Sequence, residues 1–283
     1  MNQQELSKQP TPDVAEDSAF FPSPYSLSQY TSDKTDFDQT IETERNGNGQ
    51  KILVIGTEER YMLMQNNTMF STGNHPVETL LPIYHALEAG FDIEIATLTG
   101  APVKFEWWAF PAEDDAVGKA WESLKEKFKK PLRLTDIAVD IEKTGDFAAV
   151  FIPGGHGAML TIPQSTAVQT VLDWAMKTDC LVVSLCHGPA ALLAASLGRE
   201  KSPFAGFEIC VFPDSLDQGA NIDIGYIPGK MPWALGEALT ADGLKIVNED
   251  MTGKVHRDRN LLTGDSPLAS NELGKQMVKA LLG

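Results

Sequence analysis

Apolar and polar positions change rhythm along this chain in a regular alternation. Short runs dense in Val, Ile, Leu and Phe are KILVIGT (51–57), DIEIATLT (92–99), FAAVFIPGG (147–155), CLVVSLC (180–186), EICVFPD (208–214), LKIVNED (244–250) and NLLTGDS (260–266). Between them, apolar residues recur at helical spacing. Strands that are apolar throughout bury both faces, and their alternation with helices predicts a mostly parallel sheet covered on both sides, an α/β fold. Helices are expected over His75–Ala89, Asp114–Lys129, Thr166–Lys177, Gly188–Leu197, Pro232–Ala241 and Ser270–Leu282.

Two stretches break the alternation. Residues 1–48 are polar and turn-rich with no lasting period, which reads as an extended arm; Phe20, Phe21, Tyr25 and Tyr30 are costly to leave in water and argue that it packs on the rest. Residues 49–283 then form the core, within which 101–145 (including FEWWAFPAEDDAVGKAWESLKEKFKK) exceed what one crossover helix needs. That segment and the arm are expected to build a small lid beside the carboxyl edge of the sheet.

Composition narrows the function more than the fold. The chain has 283 residues, 42% hydrophobic and 22% charged, with a formal net charge of −16. That charge repels phosphate backbones and anionic lipid, which disfavours tight binding to nucleic acid. No apolar run is long enough to span a bilayer, and MNQQELSKQPTPDVAEDSAF lacks the pattern of a signal peptide, so a cytoplasmic protein with no membrane partner is expected. Cys180, Cys186 and Cys210 are too few and too scattered for a disulfide framework or a paired-cysteine metal site.

The segment LVVSLCHGPAALLAA (181–195) concentrates the candidate chemistry. A strand delivers Cys186 and His187 onto Gly188-Pro189 and then an Ala/Leu helix, the outline of a nucleophile elbow, with helix-start N–H groups placed to lower the thiol pKa. A strand cysteine is more often an inert small hydrophobe, and Cys180 and Cys210 fit that description. Adjacent side chains usually diverge, so Cys186 and His187 are not automatically a bonded pair. His187 also needs a carboxylate to fix its tautomer; Asp217, one turn beyond the strand EICVFPD, is preferred, with Asp214 the fallback. Glu78, in the first turn after Asn74-His75-Pro76, complements a helix dipole by itself, or faces the cysteine as a protonated acid. The glycine pair in FIPGGHGA (151–158) lacks a phosphate-loop pattern and suits backbone donors to a substrate oxygen, with the amides of Gly155 and His187 as the expected oxyanion donors. His85 with Glu88 lacks a visible third ligand, so no metal and no cofactor are assigned.

Taken in order, NHPVETLLP, PGGHGA, SLCHGPAALLA, CVFPDSLD, IGYIPG and LLTGDSPLASNELGK resemble the ThiJ/PfpI superfamily, specifically its bacterial heat-shock chaperone branch, described as glyoxalase III and as a protein deglycase. The likeness runs from AEDSAFFPSPYSLSQYTS to the last helix. It implies a flavodoxin-like doubly wound sandwich with a small lid, a homodimer, a nucleophile at Cys186 with His187 and Asp217 as partners, and an acid at Glu78. It further implies conversion of methylglyoxal or glyoxal to a hydroxy acid without glutathione, repair of glycated proteins and nucleotides, and holding of unfolded clients. A cysteine aminopeptidase-type hydrolase and a purely holding chaperone are the alternatives. Branch members that bind zinc use two histidines and an acidic residue, where this chain has Leu87, Asp92 and Leu124.

Overall fold

A computed structural model describes residues 5–38 and 48–283; the remainder of the expected arm, residues 1–4 and 39–47, lies outside the described residues. The central sheet has seven strands, β1 (Lys51–Ile55), β2 (Asp92–Thr97), β3 (Leu132–Arg133), β4 (Phe147–Ile152), β5 (Leu181–Leu185), β6 (Val255–Asp258) and β7 (Leu261–Gly264). Their spatial order is β6-β7-β5-β4-β1-β2-β3, with every pairing parallel except β6 with β7. Without the edge strands β3 and β6 this is the flavodoxin-like order, whose switch point lies between β1 and β4.

Strand periodicity sends alternate residues to opposite layers. Ile52, Val54, Val183 and Leu185 enter one apolar cluster with helices α2 (Pro76–Glu88), α3 (Asp115–Lys129) and the C-terminal helix Ser270–Leu282. Leu53, Ile55, Val150 and Val182 enter the other, with Leu134–Thr144 and Thr166–Thr178. All eight of these strand residues are fully buried, each stabilising the fold by roughly 1.5–3 kcal/mol relative to exposure.

Several elements differ from the sequence reading. EICVFPD does not join the central sheet: only Glu208–Ile209 is a strand, and it pairs in parallel with Lys245–Ile246 in a separate two-stranded sheet. Its remaining apolar residues are buried, but burial alone does not distinguish a strand from an extended loop over the sheet edge. Gly188–Ser196 forms tight 3₁₀ turns in place of an α-helix, and the edge strands β3 and β6 and helix Leu134–Thr144 carried too weak a pattern to be foreseen. Residues 101–145 supply β3, α3 and that helix, and Glu106 from the loop before α3 reaches the pocket described below. The described arm adds Thr11–Pro12 and Ala19–Phe21 to a four-stranded sheet with Tyr61–Leu63 and Met69–Ser71, then forms helix α1 (Pro24–Tyr30), capped by the Ser23 hydroxyl. Among the described residues no helix is long and apolar enough to cross a membrane.

Candidate active site

Three strand ends meet at the switch point. β5 ends at Leu185, and Cys186 adopts φ +58°, a left-handed conformation costly for a side chain with a Cβ. The bend is held by Cys186 N–H donating to Gly264 O at 2.9 Å and Phe212 N–H donating to Cys186 O at 3.0 Å. Its chemical effect is that two successive side chains, which would diverge on a straight strand, converge: Cys186 Sγ lies 3.2 Å from His187 Nδ1.

The other imidazole nitrogen faces Asp217, His187 Nε2 standing 2.8 Å from Oδ2. Asp217 sits in the π-type turn Leu216–Ala220 and is buried. Its second oxygen receives Asn221 Nδ2 at 2.7 Å and His156 Nε2 at 3.1 Å. The fallback residue is elsewhere employed: Asp214 accepts the N–H groups of Gly236 and Glu237, both at 2.8 Å, at the start of helix Leu235–Ala241.

Glu78 enters from α2. Its carboxyl is fully buried, completes no hydrogen bond to a described group, and faces the Cys186 thiol and the Gly155 amide. Gly154 explains the close approach: a Cβ there would collide with the Glu78 carboxyl and stand 2.8 Å from Cys186 Cβ. Gly155, with φ +96°, turns the chain beneath His75 in a conformation a side chain rarely adopts.

These groups line a cavity of about 210 Å³, walled by Glu78, Gly155, Cys186 and His187 and also by His75, Glu106, His156, Phe212, Asn221 and Tyr226. Gln29 and Tyr30 of the arm, with Met251, Pro267 and Leu268, complete it. Among the described residues, no lysine or arginine lines the space. Cys186 is only 4% exposed, so the thiol is reached through the pocket.

Burial sets the protonation states. It pushes Glu78 well above the usual carboxylate range, and the same desolvation, reinforced by the Glu78 carboxyl, pushes the Cys186 thiol well above its ordinary value. A thiol lowered by helix-start amides was expected from the sequence. The structure corrects this: the site is closed to water, and desolvation, the largest influence on both groups, favours the carboxylic acid at Glu78 and the neutral thiol at Cys186. His187 is held down at about 4 by burial and by the neighbouring His156, against the pull of Asp217, so it is the neutral form that meets the thiol. Asp217 stays ionised far below the usual range because the two imidazoles overcome its desolvation. His156 is raised despite burial, chiefly by Asp217.

The sequence reading missed His156, Glu106, Tyr226 and Asn221. The available signal was the position of His156 directly after a strand-ending glycine pair. His85, considered with Glu88, instead pairs with Asn271, Nε2 to Oδ1 at 2.8 Å. The zinc positions do not fit a metal: Leu124 is buried and Leu87 partly buried in the apolar layer around α2 and α3, and hydrocarbon supplies no ligand.

A cysteine at a strained strand-end corner of a flavodoxin-like sheet, with an imidazole and a carboxylate aligned behind it, defines an α/β protein carrying a Cys-His-Asp constellation. The DJ-1/PfpI family model matches residues 69–208. The chain is 59% identical over 280 residues to the protein/nucleic acid deglycase HchA of Staphylococcus aureus (strain JH9), covering 98% of this chain and 96% of that protein. Among solved structures it resembles the Rapid Encystment Protein 24 KDa of Francisella tularensis (TM-score 0.69, 20% identity, 83% and 100% of the two chains). It also resembles glyoxalase III from Candida albicans (TM-score 0.64, 17% identity, 82% and 98%), and both likenesses concern the fold. The chain belongs to the DJ-1/PfpI family.

Proposed function

We propose that this protein is a cysteine-dependent deglycase and glutathione-independent glyoxalase, acting on methylglyoxal, glyoxal and their adducts with protein and nucleotide amines and thiols. The observation that carries the reading is the relay at the elbow, Cys186 Sγ to His187 Nδ1 at 3.2 Å and His187 Nε2 to Asp217 Oδ2 at 2.8 Å. The end-to-end likeness to a deglycase supports it.

Cys186 Sγ forms a bond to the aldehyde carbon as its proton passes to His187 Nδ1, and Asp217 stabilises the imidazolium produced. The aldehyde oxygen is received by the amides of Gly155 and His187 and takes up a proton, giving a hemithioacetal. Glu78 and His187 then move the C1 proton to C2 through an enediol, leaving a thioester of the 2-hydroxy acid. Water breaks the C–S bond, releasing lactate or glycolate and restoring the thiol. On an aminocarbinol adduct the same attack breaks the C–N bond, and the departing amine takes the proton. A thiol that is neutral at rest suits this order, since its proton leaves only as the carbon–sulfur bond forms.

The cavity of about 210 Å³ fits a small dicarbonyl or a slender side-chain adduct, which favours this reading over general proteolysis. The arm, through Gln29 and Tyr30, and the segment 101–145, through Glu106, are assigned the role of lid over this cavity. Cys186→Ala is expected to abolish conversion of methylglyoxal to lactate without glutathione while leaving the fold intact; lactate formation at the parental rate refutes the assignment, and turnover of aminopeptidase substrates in place of methylglyoxal supports the hydrolase.

A second reading concerns another surface. Trp107 is 52% and Leu63 58% exposed, and Trp107 borders a groove with Phe21, Leu27 and Trp108, a face suited to holding unfolded clients. Suppression of thermal aggregation of a test protein by Cys186→Ala separates that role from catalysis. The homodimer and the cytoplasmic setting implied by the resemblance belong to the same proposal.

A further inference from the structure

Asp217 is shared by two histidines, and the relay uses one. His156 is buried at 3% exposure, its ring centroid lies 3.8 Å from that of His187, and its Nε2 occupies the carboxylate oxygen that His187 leaves open. An ionised carboxylate only accepts hydrogen bonds, so both Nε2 atoms must carry protons. For a neutral His187 that leaves Nδ1 as the bare nitrogen, the atom that faces the thiol.

The surroundings hold this arrangement rigidly. Phe212 stacks on His187 at 4.7 Å, and Phe70 meets His156 edge-on at 5.3 Å. His156 also interacts with Glu106, a buried carboxyl that accepts the Thr72 hydroxyl at 2.6 Å and lies at about 7 because burial opposes its ionisation. The other titratable groups that interact electrostatically with the pair or with Asp217 are His75, Cys186, Asp214, Tyr226 and Tyr30.

The geometry points to His156 as a positioning residue for the Cys186–His187 pair: by occupying one oxygen of Asp217 and packing its tilted ring against His187, it holds His187 as the neutral, Nε2-protonated base with Nδ1 free. This rests on the proposed roles of Cys186 and His187. Mechanistically, His156, whose proton affinity Asp217 raises, penalises a positive charge on the His187 ring packed against it and divides the pull of the carboxylate between two rings. Without it, Asp217 acts on His187 alone, and the base is already protonated over a wider range of pH.

The test is His156→Gln, whose amide N–H can still reach Asp217 but carries no charge, with His156→Asn as a second variant. The pH dependence of Cys186 alkylation by iodoacetamide is read by mass spectrometry of the Cys186 peptide, which excludes Cys180 and Cys210. Alongside it, the His187 ring is titrated by nuclear magnetic resonance in ¹³C-histidine-labelled protein. Either folded variant should raise the acid-side midpoint of both curves by about one pH unit or more, the size expected for removing a unit charge at stacking distance. Curves that coincide with the parent's overturn the proposal, as does a uniform loss of rate without a shifted midpoint, the mark of a merely structural residue. A shifted alkylation curve in a protein that does not consume methylglyoxal upholds the role of His156 while refuting the deglycase reading, so the two fail separately.

Discussion

Asp217→Asn is the substitution whose consequences the structure constrains most closely. The carboxylate accepts three hydrogen bonds, from Asn221 at 2.7 Å, His187 at 2.8 Å and His156 at 3.1 Å. Asparagine offers one acceptor oxygen and one NH₂ group, so one of the two oxygens becomes a donor. If the amide oxygen stays with His156 and Asn221, the NH₂ confronts His187 Nε2–H, and relief comes from moving the His187 proton to Nδ1. Nδ1 then cannot receive the thiol proton. The analogous change in a serine protease triad lowers kcat about 10⁴-fold, and a similar loss here corresponds to about 5 kcal/mol of transition-state stabilisation. Because the tautomer change satisfies the new donor, stability should fall by only about 1–3 kcal/mol, the scale of one imperfect buried hydrogen bond. The assay is methylglyoxal consumption with lactate detection and no glutathione, paired with urea unfolding of the same samples. Activity within tenfold of the parent in a folded Asp217→Asn protein would falsify the tautomer argument and the place of Asp217 in the relay.

Other outcomes follow from single contacts. Asp214→Ala removes the acceptor for the Gly236 and Glu237 N–H groups and should cost about 1 kcal/mol of stability with turnover kept within a few-fold; a loss as large as that of Asp217→Asn would return Asp214 to the relay. Gly154→Ala drives a Cβ into the Glu78 carboxyl, an overpacking worth about 1–3 kcal/mol, and should lower turnover at least tenfold by displacing the acid, which a parental rate in the purified variant would contradict. Glu106 is held near 7 in the fold against 4.5 when exposed, so the folded protein retains a proton that the unfolded chain releases as pH rises. Its contribution therefore falls between pH 4.5 and about 7, and Glu106→Gln should gain on the parent by roughly 3 kcal/mol across that window. Urea unfolding of both proteins at pH 5 and pH 7 reads the difference, and parallel stability curves would rule it out.

Much of the scaffold was legible because strand and helix patterns are local. The runs from Lys51, Asp92, Phe147, Leu181 and Leu261 were placed in a parallel sheet since each is apolar enough to be buried on both faces. The helix entered at Pro76 follows from a proline suited to the first helical turn, and the one ending at Leu282 from its helical spacing. EICVFPD shows the limit: apolar composition predicted burial, but its pairing partner, Lys245–Ile246, lies over thirty residues away and nothing near it in the chain announces the choice. The edge strands Leu132–Arg133 and Val255–Asp258 are half in solvent and polar, so their pattern is weak.

The chain on its own determined that a cysteine and a histidine stand at a strand end before a turn, with an acid in the first turn of another helix and a carboxylate after a later strand-like run. Only the tertiary structure decided which groups meet. The +58° backbone at Cys186 turns neighbouring side chains toward each other, and the switch point brings ends separated by more than a hundred residues within a few ångströms. The placement of Asp217 beside both His187 and His156, with Asp214 drawn off to cap a helix, depends on how a π-type turn packs against the sheet. The neutral thiol has the same origin: the amount of water left around a group is a property of the packed whole, and no run of adjacent residues encodes it.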